Sequence, residues 1–238
     1  MIRVRGCLFA AILIGLCAVQ TQAQVIRIDG KLDDWGRSVI KDGYKDVEIP
    51  SIDIMFYKLS LGDFYTSAAE RDSLQDLSKG RVPPDINEST QLRLLFRFLE
   101  KVFAGSAETT IEFFLDVDED DLLGDPHEKW PRLKPEVVMG VRGRMGEITS
   151  EFRRDWDGTS WILTEEKDLP GIVAAADSVF FEVLISLSAV GSSSGEHIKW
   201  GAIASQGDAR DYLPDDREMD LSTAITNRTW GEVKRDQK

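Results

Sequence analysis

Three aspartates at two-residue intervals, Asp116, Asp118 and Asp120, end an apolar run, with Asp121, Gly124 and Asp125 close behind. Carboxylates crowded at that spacing repel one another unless a cation lies among them. A hard ion suits them, since Ca²⁺ takes 6–8 oxygen ligands at about 2.3–2.6 Å. Asp116, Asp118, Asp120, Asp121 and Asp125 are therefore the expected metal ligands. An EF-hand is excluded: its loop needs Gly at the sixth position and Glu at the twelfth, where this chain has Asp121 and His127. The competing reading is a bare acidic turn, because Asp favours turns through its own backbone.

The second chemistry open to the chain is stacking. A Trp or Tyr ring offers an apolar face with a polar edge, which suits a sugar when a few placed hydrogen-bonding groups surround it. Trp130 lies in an irregular, proline-flanked loop beside the aspartates and is the first candidate; Trp156, Trp161 and Tyr212 follow, with Lys129, Arg132 and Asp211 as hydrogen-bonding partners. The alternative is that Trp156 and Trp161 face each other across a hairpin and that Trp35 and Trp200 are core.

Catalysis has less to stand on. With 42 Asp and Glu residues, paired carboxylates arise by chance and no acid–base dyad can be singled out. The two histidines, His127 and His197, have no helix-spaced partner for zinc, and Ser192–Gly195 is a flexible polar loop rather than a nucleophile elbow. The expectation is a protein that is not an enzyme. A haem held by His197 with Met139 or Met145 is a further alternative without spacing to support it.

The elements that position these residues begin after a leader. Arg3 and Arg5 precede the apolar run Leu8–Val19, and Thr21-Gln22-Ala23 offers small residues at a cleavage point before Gln24. This pattern is a secretory signal over residues 1–23, too short to span a bilayer. Leu16 is too large for the residue before a lipidated Cys17, so simple export to a periplasmic or extracellular space is expected. Cys7 and Cys17 both lie in the leader, and its removal leaves 215 of 238 residues with no thiol and takes the net charge from −13 to −15. So negative a surface repels phosphate backbones and anionic lipid, which argues against nucleic-acid and membrane partners.

Residues 24–220 read as one all-β domain. Ile111, Phe113 and Leu115 alternate with Glu112, Phe114 and Asp116, the period of a strand with one buried face. Leu92, Leu94, Phe96 and Phe98 share a face opposite Arg93 and Arg97, and Val179, Phe181, Val183, Ile185 and Leu187 form another one-sided strand. Further strands are expected over Ile52–Leu61, Glu136–Val141, Glu147–Phe152 and Ile198–Ser205, with a short opening strand at Val25–Ile28. Asp157-Gly158 marks a hairpin turn. Residues 62–88 are an irregular excursion with a helical turn near Ala68–Leu77, Asp208–Asp220 an acidic loop, and 221–238 an edge strand or tail. Short strands separated by Gly, Pro and Asp turns predict a two-sheet, jelly-roll-like β-sandwich.

The order of these features resembles the family-9 carbohydrate-binding modules and the DOMON-like β-sandwich superfamily. The matching residues are Ile28-Asp29-Gly30-Lys31-Leu32-Asp33-Asp34-Trp35, Phe113–Asp118 with Gly124, Trp156–Trp161, Phe181–Ser188 and Asp211-Tyr212-Leu213-Pro214. The resemblance implies a sandwich, structural calcium at the acidic loops and loop aromatics clamping a glycan. The family's usual stretch after the calcium loop is replaced here by Glu128-Lys129-Trp130-Pro131-Arg132. The expectation is a secreted, calcium-stabilised binding module, monomeric or accessory, with a carbohydrate partner. A surface-assembly domain without a sugar site is the alternative, and a haem domain the next.

Overall fold

The computed structural model describes residues 28–32, 35, 39–42, 45–62, 91–117, 124–166, 169–192, 197–215 and 219–222. Twelve strands among them form two antiparallel sheets. In chain order they are β1 (Ile40–Lys41), β2 (Ile54–Gly62), β3 (Gln91–Phe98), β4 (Thr109–Asp116), β5 (Val137–Arg144), β6 (Glu147–Trp156), β7 (Trp161–Glu166), β8 (Ile172–Asp177), β9 (Phe180–Ser186), β10 (His197–Gln206), β11 (Ala209–Leu213) and β12 (Met219–Ser222). The first sheet runs β1-β2-β3-β9-β8 and the second β11-β10-β4-β5-β6-β7, with β12 pairing the start of β10 ahead of β11. The protein is an all-β sandwich, as its turn spacing predicts.

The period-2 pattern decides which side chains fill the space between the sheets. Leu92, Leu94, Phe96 and Phe98 of β3 meet Ile111, Phe113 and Leu115 of β4 in one core, joined by Phe181, Val183 and Ile185 of β9. Phe96, Phe113 and Phe181 have ring centroids 5.8–6.4 Å apart. Each side chain so buried contributes about 1.5–3 kcal/mol of transfer free energy, which gives the domain its cohesion. Tyr57 meets Trp200 edge-on at 6.0 Å in the same core.

Several elements differ from expectation. Asp208–Asp220 is not a loop: Ala209–Leu213 is strand β11, paired to β10 from Ala202↔Leu213 to Gln206↔Ala209. Ile172–Asp177 forms β8 against β9, although its alanines have low strand propensity. Both strands exist because a neighbour offers a ladder. Ile28 lies outside any strand; Val25 and Ile26, the 68–77 turn and the tail beyond residue 222 lie outside the described residues.

The opening segment seals the outer face of the first sheet. Arg93 on β3 and Glu182 on β9 form an ion pair there, their side chains 2% and 0% exposed, with Arg93 Nε 2.7 Å from Glu182 Oε1. The backbone N–H groups of Asp29 and Gly30 donate to Glu182 Oε2 at 3.1 and 3.2 Å. Trp35 Nε1 donates to Oε1 at 3.0 Å while its ring lies 4.1 Å from the Arg93 guanidinium. Gly30 has φ +71° and touches the Ala176–Asp177 backbone where a Cβ would collide, so glycine is required for this close approach. Trp35 is thus a half-buried lid over an ion pair rather than a core residue.

Candidate functional site

The expected metal loop leaves β4 at Asp116. That carboxylate is buried, and its Oδ2 accepts from Lys199 Nζ on β10 and from the Lys134 N–H, both at 3.3 Å. Asp125 Oδ2 accepts from Trp161 Nε1 at 2.9 Å. The two described members are thus each held by a donor on a different element, and no third described carboxylate converges with them. Asp118, Asp120 and Asp121 lie outside the described residues.

Trp130 does not present a stacking face. The loop from Gly124 to Glu136 folds over the outer face of the second sheet and drives Trp130 to full burial in a second apolar cluster with Phe114, Leu133, Val138, Phe152 and Ile203. Its Nε1 donates to the Pro214 carbonyl at 2.9 Å. The ring lies over Gly201, where an added Cβ would come within 2.5 Å of it. His127 is held against Phe114 and Trp130, each at 4.6 Å, and burial lowers its pKa below the usual value. The irregular loop is therefore not an open one: Gly201 opposite leaves room for the ring, and Trp130 plugs it. Lys129 and Arg132 are exposed on this loop, Lys129 Nζ lying 5.2 Å from the Tyr212 ring centre. Tyr212 is half-buried and meets Trp130 edge-on at 5.9 Å.

Asp211 is separated from Tyr212 by the strand period. Ala202 and Ala204, which pair Leu213 and Asp211, belong to the inter-sheet core, whereas Ile203, which pairs Tyr212, belongs to the outer cluster. Asp211 therefore points between the sheets. Its Oδ2 accepts from the Ile54 N–H at 2.6 Å, and burial pushes its pKa up to about 7, with Asp46, Asp215 and Asp53 adding repulsion.

Trp156 and Trp161 pair directly across the β6–β7 hairpin, ring centroids 5.4 Å apart and both half-buried. The turn between them is held by Asp157, whose Oδ1 accepts from the N–H groups of Thr159 and Ser160 at 2.8 Å. From Trp161, a lane of partly exposed polar side chains crosses the outer face. Arg154 pairs with Glu112 at 2.5 Å and Arg142 with Glu165 at 2.6 Å. Both guanidinium groups flank the buried Phe152 ring, at 5.9 and 4.7 Å from its centre, and Arg154 also lies 5.7 Å from the Trp161 ring. Arg154 Nε has no hydrogen-bond partner. Gly140 opens the space that the Phe152 ring occupies. Sequence reasoning missed this lane; its signal was Arg142, Phe152 and Arg154 alternating in a region whose register only pairing fixes.

Of the haem alternative's residues, Met139 is buried in the inter-sheet core and Met145 stands exposed at the β5–β6 turn. No helix among the described residues is long and apolar enough to cross a membrane. No protein-family model, curated protein or solved structure matches this chain.

Proposed function

We propose that the protein is a non-catalytic, exported binding module that takes a carbohydrate on the outer face of its second sheet. The observation that carries this reading is Trp161, half-exposed beside the Arg154–Glu112 and Arg142–Glu165 pairs. A pyranose needs an apolar face for its C–H groups and planar donors and acceptors for its hydroxyls. The lane offers both. Because each guanidinium is already neutralised by a carboxylate, the lane suits an uncharged sugar. The order of motifs shared with family-9 carbohydrate-binding modules supports the same reading, and the leader at residues 1–23 supports export.

Titration with neutral oligosaccharides, followed calorimetrically, tests it. Binding should appear in the native protein and weaken at least tenfold in Trp161→Ala, whose loss removes the stacking face. Absence of binding across the panel, or equal affinity in the variant, overturns the reading. Ile162 and Leu163, 54% and 51% exposed on β7 at the edge of the sheet, favour a second reading in which a protein strand adds to that edge. In that case oligosaccharides do not bind and proline substitutions in β7 abolish partner capture.

A further inference from the structure

The position of the Trp161 ring is set by more than its own strand. It packs against the outer apolar cluster that holds Phe114, Trp130 and Phe152. Trp156 lies across the hairpin at 5.4 Å, the two rings tilted by 54°, so it touches the indole without locking its rotation. The polar edge is fixed from elsewhere: Nε1 donates to Asp125 Oδ2 at 2.9 Å, across 36 residues of chain.

Asp125 stands on a loop that is itself well held. The Asp125 N–H donates to the Pro135 carbonyl at 3.4 Å, that of His127 to Leu133 at 3.0 Å, and that of Leu133 to Trp130 at 2.9 Å. The two ends of the Gly124–Glu136 loop thus run against each other. Gly124 has φ +87° and sits where a Cβ would collide with the Lys134 carbonyl, a close approach that glycine permits. Beneath the loop, Trp130 is fully buried and tied to the Pro214 carbonyl. Trp130 anchors the loop, the loop presents Asp125, and Asp125 holds Trp161.

Two consequences follow for a ligand. The indole N–H is committed to Asp125, so a sugar laid against Trp161 meets the apolar face of the ring, and its hydroxyls turn to the Arg154–Glu112 and Arg142–Glu165 pairs. The ring is also oriented before the ligand arrives. Ordering a mobile side chain at the moment of binding lowers affinity, and fixing it beforehand removes that cost.

We infer that Asp125 is a positioning residue for carbohydrate binding: it touches no sugar and acts by presetting the Trp161 ring. The inference rests on the carbohydrate reading above. The hairpin does not need this hydrogen bond to form, since Asp157 closes its turn and the two tryptophans pair across it. Binding and folding are therefore separable at Asp125.

The test uses the whole protein with isotope-labelled tryptophan. NMR follows the indole N–H signals, and calorimetry the affinity for cellohexaose, xylohexaose and maltohexaose. The Trp161 signal, assigned by its absence in Trp161→Phe, should exchange slowly with solvent in the native protein. It should exchange faster in Asp125→Ala and stay slow in Asp125→Asn, whose amide oxygen still accepts. Asp125→Ala should weaken sugar binding about three- to tenfold, the cost of ordering one side chain, with the melting temperature unchanged. Asp125→Asn should restore native affinity. In Trp161→Phe, which keeps an apolar ring but has no N–H to hold, adding Asp125→Ala should change nothing further. An indole signal indifferent to Asp125→Ala overturns the positioning role. So does an affinity loss of the same size whether Trp or Phe stands at 161. A native protein that binds none of the three sugars, while its indole signal still responds to Asp125→Ala, overturns the carbohydrate reading and with it the part of Asp125 in binding.

Discussion

The outer faces of the two sheets carry the same chemistry in different surroundings. On the first sheet, the Arg93–Glu182 pair is 2% and 0% exposed beneath the Asp29–Trp35 segment. On the second, the Arg154–Glu112 pair is 29% and 20% exposed beside Trp161. Each guanidinium lies near an indole ring, at 4.1 and 5.7 Å. The difference is the lid. Where the chain folds back over the pair, the ions serve the fold. Where the Gly124–Glu136 loop reaches Trp161 but leaves the Arg154–Glu112 pair partly exposed, the pair faces outward and can meet a ligand. A motif of paired charges and an aromatic is therefore no site in itself; what covers it decides.

The largest effect should come from breaking the sealed pair. Glu182→Gln leaves Arg93 buried without its counter-charge and turns one of the two acceptor oxygens, shared among Arg93, Trp35 and the Asp29 and Gly30 N–H groups, into a donor. Removing one partner of a buried pair costs about 3–5 kcal/mol, which urea unfolding should show. The same variant should leave oligosaccharide affinity unchanged. A loss near zero would mean that the opening segment is not docked on this face in solution.

A smaller loss is expected at the support of the open face. In Gly140→Ala the added methyl collides with the Phe152 ring, which sits between Arg142 and Arg154. Overpacking of this kind costs about 1–3 kcal/mol. Because the displaced ring carries both guanidinium groups with it, affinity should fall together with stability. If binding proves unaffected while stability drops, the lane is not where the ligand lies.

That pair also shows what could be read from the chain and what could not. The inward rows of β3, β4 and β9 were legible, because alternation over seven or eight residues admits one buried face. The second apolar cluster was not. Phe114 and Phe152 break the polar half of their strands, and only the register Phe114↔Val138 and Gly140↔Phe152 brings them onto one surface. Gly140 and Gly201 carry no side chain, yet they decide where Phe152 and Trp130 can lie. Glycine in a strand signals a close approach, but the sequence does not say of what. Adjacent in sequence, Asp211 and Tyr212 suggest one loop site; as residues of a strand they face opposite ways.

Next comes the open ion pair itself. Arg154→Met keeps the aliphatic bulk but removes the charge from Glu112. Partly exposed pairs contribute about 0–1 kcal/mol, so unfolding should shift by less than about 1 kcal/mol. Affinity for the neutral sugar should nevertheless fall severalfold, because the planar donor group of the partly exposed guanidinium is lost. Small stability loss with large affinity loss is the reverse of the Glu182→Gln result, and that inversion is the sharpest form of the contrast between the faces. Equal effects of the two variants on both quantities would erase it.

The smallest effect is a pH dependence at the hairpin that holds Trp156 against Trp161. Asp157 is held down to about 2 from the usual 3.8 by the backbone N–H of Ser160 first, then by the Thr159 hydroxyl and N–H. A carboxylate whose folded pKa is depressed contributes stability above its unfolded pKa and loses it as pH falls through the folded value. The turn should therefore be intact at neutral pH and loosen only between about pH 4 and pH 2. Tryptophan fluorescence followed through that window should change before global unfolding, and the change should be absent in Asp157→Asn, which keeps an acceptor but does not titrate. Were the native hairpin signal to move instead near pH 6, the titrating group would be another one, and Asp157 would not be what fixes the geometry of the tryptophan pair.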